Sequence, residues 1–206
     1  PEEFRAELAA AQANGGIDPG VIAARYRDRT GAELLAWFDT ARAALLGTFA
    51  SLDPQTRLPW FGPAMSAASS LTARLMETWA HTQDIADALG VTREPTPRLR
   101  HVAHIGVGAR AFSYAARGQA IPGTPVRVEL AAPDGTAWTW GPADAEDRVS
   151  GTALDFCLLV TQRRHRDDLA LTVDGPAAQQ WMAIAQAFAG PPGPGRPPLR
   201  KAKAGE

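Results

Sequence analysis

The sequence holds a single cysteine, Cys157. No intrachain disulfide can staple the fold, which fits a reducing cytoplasm. No stretch approaches the roughly 20 consecutive apolar residues needed to span a bilayer. No signal peptide opens the chain, so neither anchoring nor secretion is expected. Charge of one sign is also missing. Lys and Arg number 21 against 22 Asp and Glu, and the cations cluster only at 162–166 and in the last few residues. A broad electropositive face is excluded, and with it duplex nucleic acid as a main partner. There is no internal repeat. No Met precedes Pro1-Glu2-Glu3-Phe4-Arg5-Ala6-Glu7-Leu8, which reads as a helix already under way, so the natural N-terminus is expected upstream.

What is present is the balance of a folded globular protein, 45% hydrophobic and 21% charged. Residues 1–118 read as helical, punctuated at Asn14-Gly15-Gly16, Asp53-Pro54, Pro59-Trp60-Phe61-Gly62-Pro63 and 90–97. One long helix starts at Thr30, with Glu33 three residues on as in a capping box. A second runs from about 65 to 89 and stops at Gly90, and a third covers about 96–117. Short loops between long helices predict an antiparallel bundle. After Pro122 the period becomes two. Val126, Val128 and Leu130 alternate with Arg127 and Glu129, and Pro133-Asp134-Gly135 turns the chain into Ala137-Trp138-Thr139-Trp140, a β-hairpin. A helix at 152–163, a strand at 169–173 and a helix at 177–189 complete a small domain. The expected class is α+β: a helical bundle over 1–120, an α+β domain over 121–189, and a disordered Pro/Gly-rich tail over 190–206.

The second long helix contains Glu77-Thr78-Trp79-Ala80-His81. Four-residue spacing puts the carboxylate and the imidazole on one face, one turn apart, where both reach one ion. That donor pair suits a borderline divalent metal such as zinc. On the helical wheel the pair flanks a stripe of Leu71, Leu75, Thr82, Ile85 and Leu89 by roughly 100°. This is the position of a pocket wall and equally that of an ordinary Glu–His pair in a salt-bridge network with Arg74 and Asp84.

Pro59-Trp60-Phe61-Gly62-Pro63-Ala64-Met65-Ser66, followed by Arg74-Leu75-Met76-Glu77-Thr78-Trp79-Ala80-His81-Thr82-Gln83-Asp84-Ile85-Ala86-Asp87, resembles the metal-binding helix of the mycothiol-dependent maleylpyruvate isomerase family. The resemblance implies a DinB-like four-helix bundle, incomplete here at its N-terminus. It implies a divalent metal, usually zinc, held by an early-helix histidine and by the residues matching Glu77 and His81. Mycothiol is the implied thiol cofactor. The early histidine normally stands in a Trp-x-x-x-Asp-x-x-x-His-Leu pattern that nothing here matches, so it is expected upstream of Pro1. Residues 126–130, Trp138-Thr139-Trp140-Gly141-Pro142 and 151–164 are similar to the family's small C-terminal domain, and that segment is also likened to a domain linked to wyosine base formation.

Arg163 falls where the family carries an arginine facing the active site, with Arg164 next in line. A guanidinium fork suits a substrate carboxylate, although a surface arginine at a helix C-terminus needs no function. Trp60, Phe61 and Met65 are candidate walls of the thiol site. His101 and His104 offer a substitute nitrogen, but His104, flanked by Val102, Ala103 and Ile105, also reads as a core or helix-start residue. His165, within Arg163-Arg164-His165-Arg166, reads as a solvated turn. Cys157, in an apolar run, reads as inert packing. The expected activity is a metal- and mycothiol-dependent isomerisation or S-transfer on a small electrophile bearing a carboxylate. A non-catalytic metal-binding sensor or stress protein is the alternative, and wyosine-type RNA modification a third, which lacks a visible basic surface.

Overall fold

The computed structural model describes residues 2–13, 19–60 and 64–199. Asn14-Gly15-Gly16, Phe61-Gly62-Pro63 and the basic end of the tail lie outside the described residues. The chain divides into two compact units, Pro1–Leu71 and Thr72–Glu206. The class is α+β.

The first unit contains helices α1 (Glu2–Ala13), α2 (Pro19–Ala24) and α3 (Gly31–Ser51). They are followed by a short antiparallel ribbon of β1 (Arg57–Leu58) and β2 (Met65–Ser66). Helix α3 starts where Thr30 and Glu33 form a reciprocal cap. Glu33 N–H donates to Thr30 Oγ1 at 3.3 Å, and Thr30 N–H donates to Glu33 Oε2 at 2.8 Å. No α3 residue is buried, and Leu35, Trp37 and Phe38 are among its exposed apolar side chains.

Helix α4 (Ala67–Leu89) crosses the unit boundary and ends at Gly90, whose φ of +66° is the left-handed backbone that terminates a helix there. Beyond Thr72 its buried residues are Met76, Ala80, Gln83 and Ala86, at helical spacing. Of the apolar stripe expected from the sequence, Leu75 packs against the core, whereas Ile85 is 61% and Leu89 71% exposed. The buried face is built of two alanines, Gln83 and Met76, the last of which joins the core of the second unit. Arg93 fixes that face by donating to the Trp79 carbonyl at 3.0 Å and to Gln83 Oε1 at 3.3 Å.

Helices α5 (Leu99–Gly108) and α6 (Arg110–Ala115) replace the single helix expected at 96–117, with the break at Ala109. Strands β3 (Val126–Ala131) and β4 (Ala137–Trp140) form the expected hairpin. Strand β5 (Asp147–Thr152), which the sequence reading lacked, pairs parallel to β3. Helix α7 (Ala153–Val160) follows directly, then a 3-10 turn at Arg166–Asp168, β6 (Thr172–Asp174) and α8 (Pro176–Ile184). Strand β6 pairs antiparallel with β5, giving the order β4-β3-β5-β6.

Alternation along β3 sends Val126, Val128 and Leu130 inward and Arg127 and Glu129 outward. The inward residues share one core with Met76 of α4, Leu99 and Val102 of α5, Phe156 and Val160 of α7, and Trp181 of α8. Fully burying an aromatic of this size contributes roughly 2–3 kcal/mol by area. Helices α5 and α7 approach closely because position 106 is glycine. A Cβ there would meet Val160 Cγ2 at 2.7 Å. The start of α8 is capped by the buried Asp147 carboxylate, which accepts the Ala177 and Ala178 N–H groups at 2.6 and 2.9 Å.

Candidate functional site

On α4, one turn apart, His81 Nε2 lies 3.4 Å from Glu77 Oε2. The other ring nitrogen, Nδ1, lies 3.4 Å from Asp84 Oδ2, itself less than a turn further along. The imidazole is therefore bracketed by two carboxylates, and its side chain is 68% exposed. The pair sits on the solvent side of the helix rather than in the core.

Asp84 is held from across the second unit. Arg163 Nε donates to Asp84 Oδ1 at 3.2 Å and Nη2 to Oδ2 at 2.9 Å, a two-pronged pair. Arg163 Nη2 is also 3.4 Å from His81 Nδ1, and Nη1 donates to the Thr161 carbonyl at 2.7 Å. Arg196, from the Pro/Gly-rich segment, adds a bond to Asp84 Oδ1 at 2.9 Å. One helical turn on, Arg164 grips Asp87 with both Nη atoms at 2.6 Å, and Gln83 Nε2 donates to the same carboxylate at 2.8 Å.

A single turn delivers both arginines. Gln162 takes a left-handed backbone, φ 58°, where a helix C-terminus usually has glycine. Its N–H donates to the Leu159 carbonyl and that of Arg163 to the Leu158 carbonyl, both at 2.8 Å, which closes α7 and swings residues 163 and 164 back toward α4.

The charges follow from these contacts. Burial pushes the Asp84 carboxyl up, but the bonds and charge of Arg163, with Arg196 and His81 adding to them, outweigh it and leave the group below the usual carboxylate range. The Arg164 fork holds Asp87 down at about 2 against partial burial, with Gln83 helping. Arg164 is raised in turn by the Asp87 hydrogen bonds. Both aspartates are anions at neutral pH.

The other candidates of the second unit make different contacts. His104 Nδ1 accepts from Trp140 Nε1 at 3.4 Å, against β4. His101 is exposed at the start of α5. His165 Nδ1 accepts the Asp167 N–H at 3.1 Å. Cys157 is fully buried, and burial pushes its thiol up, away from the reactive thiolate. Trp60 is partly buried, and Met65 pairs with Leu58 in the β1–β2 ribbon of the first unit. Asp87 and Arg196 are the members that sequence reading missed. Asp87 stands one turn beyond Asp84, facing the arginine pair, which is a usable signal. Arg196, an isolated cation in a Pro/Gly run, offers none.

The pair can be tested against an ion. Tetrahedral zinc with ligands at roughly 2.0–2.2 Å has ligand–ligand edges of about 3.3 Å, close to the 3.4 Å between His81 Nε2 and Glu77 Oε2. A metal-bound histidine usually donates its second N–H to a carboxylate, and Asp84 stands at that position. Because Asp84 faces the opposite ring nitrogen, it cannot converge on the same ion. Among the described residues no group of three or more His, Cys, Asp or Glu could hold a metal. The residues present therefore fit two ligands and their orienting partner.

Residues 1–86 match the family model described as the mycothiol maleylpyruvate isomerase N-terminal domain. Residues 122–173 match a second model, described as wyosine base formation. The first match holds Glu77, His81 and Asp84, and the second holds Arg163 and Arg164. Two Mycobacterium tuberculosis proteins, from strains CDC 1551 and H37Rv, are each 52% identical over 165 residues and are described as uncharacterized. The aligned region covers 80% of this chain but 64% of each relative. No solved structure matches. Among the described residues no helix is long and apolar enough to cross a membrane. Over its first 86 residues the chain is thus similar to the mycothiol maleylpyruvate isomerase N-terminal domain, a likeness that points to mycothiol chemistry.

Proposed function

We propose that the Glu77/His81 pair forms part of a divalent-metal site serving mycothiol-dependent isomerisation or S-transfer on a small, carboxylate-bearing electrophile. The observation that carries this reading is the 3.4 Å approach of His81 Nε2 to Glu77 Oε2, with Asp84 behind Nδ1, inside the segment matching the mycothiol family model. A divalent ion, zinc by donor preference, would lower the pKa of a bound thiol and keep it as the thiolate. The chain's own residues supply the rest. With an ion on Nε2, the Nδ1 proton would go to Asp84 Oδ2, 3.4 Å away, and Arg163 Nη2, now 3.4 Å from Nδ1, would turn wholly to the carboxylate. Arg163 fixes Asp84 in turn, and its fork is the proposed partner of a substrate carboxylate, for which Asp84 competes. Arg164, closed on Asp87, is the second choice. Trp60 and Met65 are proposed contacts of the thiol.

The test is elemental analysis and mass spectrometry of the protein purified without chelator from a mycothiol-making host. About one metal per chain with retained thiol supports the reading. Metal without thiol turnover supports a non-catalytic metal-binding role, and neither removes the proposal. His81→Ala should abolish metal binding while leaving helical circular dichroism intact. Arg163→Ala should lower kcat/KM by the equivalent of roughly 1.5–3 kcal/mol with metal content unchanged, and Arg163→Lys should restore only part of it.

The wyosine match over residues 122–173 favours a second reading, modification of an RNA base. It predicts tight, salt-sensitive tRNA binding. The chain's net charge of −1 argues against it.

A further inference from the structure

The second unit contains a cavity of about 230 Å3 whose lining includes Arg117, Gln162, Arg164, His165, Arg166 and Arg196. The carboxylates nearby are already engaged. Asp84 takes Arg163 and Arg196, and Asp87 takes Arg164. Asp168 accepts the Leu199 N–H at 3.0 Å. Asp167, the acidic residue of the lining, has a side chain 69% exposed and lies 3.6 Å from His165 Nδ1.

Two guanidinium groups in the lining are left over. Among the described residues Arg117 bonds only the Ser113 carbonyl, at 3.1 Å, and Arg166 has no side-chain partner. Both are partly shielded from water. Partly desolvated cations that outnumber the one exposed aspartate of the lining are unfavourably placed, and an oxyanion relieves this.

The cavity is also built at a backbone cost. Gln162 is the one non-glycine among the described residues with a positive φ, and its Nε2 donates to the Ala185 carbonyl at 3.3 Å, on the cavity wall. Residues held in this region cost of order 1–3 kcal/mol and concentrate at ligand sites. The volume is below the roughly 300–1,000 Å3 of whole-ligand pockets, so the fitting ligand is a small oxyanion or the anionic end of a larger molecule.

We propose that this cavity binds a small oxyanion, a carboxylate or a phosphate, through the Arg117 and Arg166 guanidinium groups. Their planar forks match either anion in a two-pronged geometry. The proposal does not require a metal at Glu77 and His81.

Isothermal titration of the full chain with inorganic phosphate and, separately, with malonate tests it, each at constant ionic strength set by chloride. Saturable one-to-one binding of either probe is expected, and the tighter of the two identifies the class. R117Q and R166Q should each weaken that binding about tenfold or more, as loss of a charged hydrogen bond does. R117K and R166K should retain part of it. R74Q, an exposed arginine away from the cavity, should leave it unchanged. Either glutamine variant is informative if the other fails to fold, and metal content should match that of the unaltered protein in all of them. Absence of saturable binding by both probes, or binding insensitive to R117Q and R166Q, overturns the proposal. So does tRNA binding that depends on these arginines while neither probe binds.

Discussion

At Asp87 a single carboxyl carries a pH signature. The Arg164 fork holds it at about 2, against an ordinary value of 3.8. An acid depressed on folding stabilises the native state above its unfolded pKa, and the contribution disappears as pH falls through the folded value. The shift corresponds to at most about 2.5 kcal/mol, present in full above pH ~4 and lost as pH falls from ~4 through ~2. Asp87→Asn should therefore cost about 1–2 kcal/mol at pH 7 in urea denaturation and no more than about 0.5 kcal/mol near pH 2. An equal deficit at both pH values would mean that the pair is not the cause. Asp84 shares the direction of the shift but carries two arginines, so replacing either arginine alone leaves it paired. His81 is the counterpart in the same network, more exposed and bracketed by carboxylates. Its role rests on what else approaches Nε2.

Among the elements, α5 and α7 cross closely at Gly106. Alanine ordinarily stabilises a helix over glycine by about 1 kcal/mol. At position 106 the added Cβ would meet Val160 Cγ2 at 2.7 Å and Phe156 Cε1 at 3.1 Å, both in the fully buried core. Overpacking of this kind costs about 1–3 kcal/mol, so Gly106→Ala should lower the urea midpoint with the m-value unchanged. A raised midpoint would show that α5 and α7 have room to part. Local rules made several elements legible in advance. The Thr30–Glu33 cap, the Gly90 stop and the β3–β4 hairpin each depend on a few neighbouring residues. Strand β5 is not legible in the sequence because Asp147 and Gly151 interrupt its alternation and its partner β3 pairs in parallel from some twenty residues away. The sequence predicts one continuous helix at 96–117 because nothing around Ala109 announces the break.

For the whole molecule, the core cluster runs from Met76 to Ala187 and lies entirely within the second unit. A fragment of residues 67–206 should therefore unfold cooperatively in urea and keep the near-ultraviolet circular dichroism of Trp138 and Trp181, which are 8% and 1% exposed. Loss of both would show that this core needs the preceding 66 residues. Domain arithmetic from hydrophobic period alone cannot settle such a question. The period reports which face of an element is apolar, and a helix such as α4 can bury a face of small residues instead.

The sequence by itself determined the local and the repetitive features of this protein. The i, i+4 placement of Glu77 and His81 follows from helical pitch, the hairpin from alternation and a Pro-Asp-Gly turn, and the inertness of Cys157 from its apolar neighbours. The family likeness at α4 came from the same stretch of residues. Only the tertiary structure decided which arginine meets which carboxylate. Arg163 and Arg164 are neighbours, and their order of approach to Asp84 and Asp87 depends on the left-handed turn at Gln162 that ends α7. Arg196 joins them from more than 100 residues away. Contacts of that range are fixed by packing and chain path, which no pattern of neighbouring residues encodes.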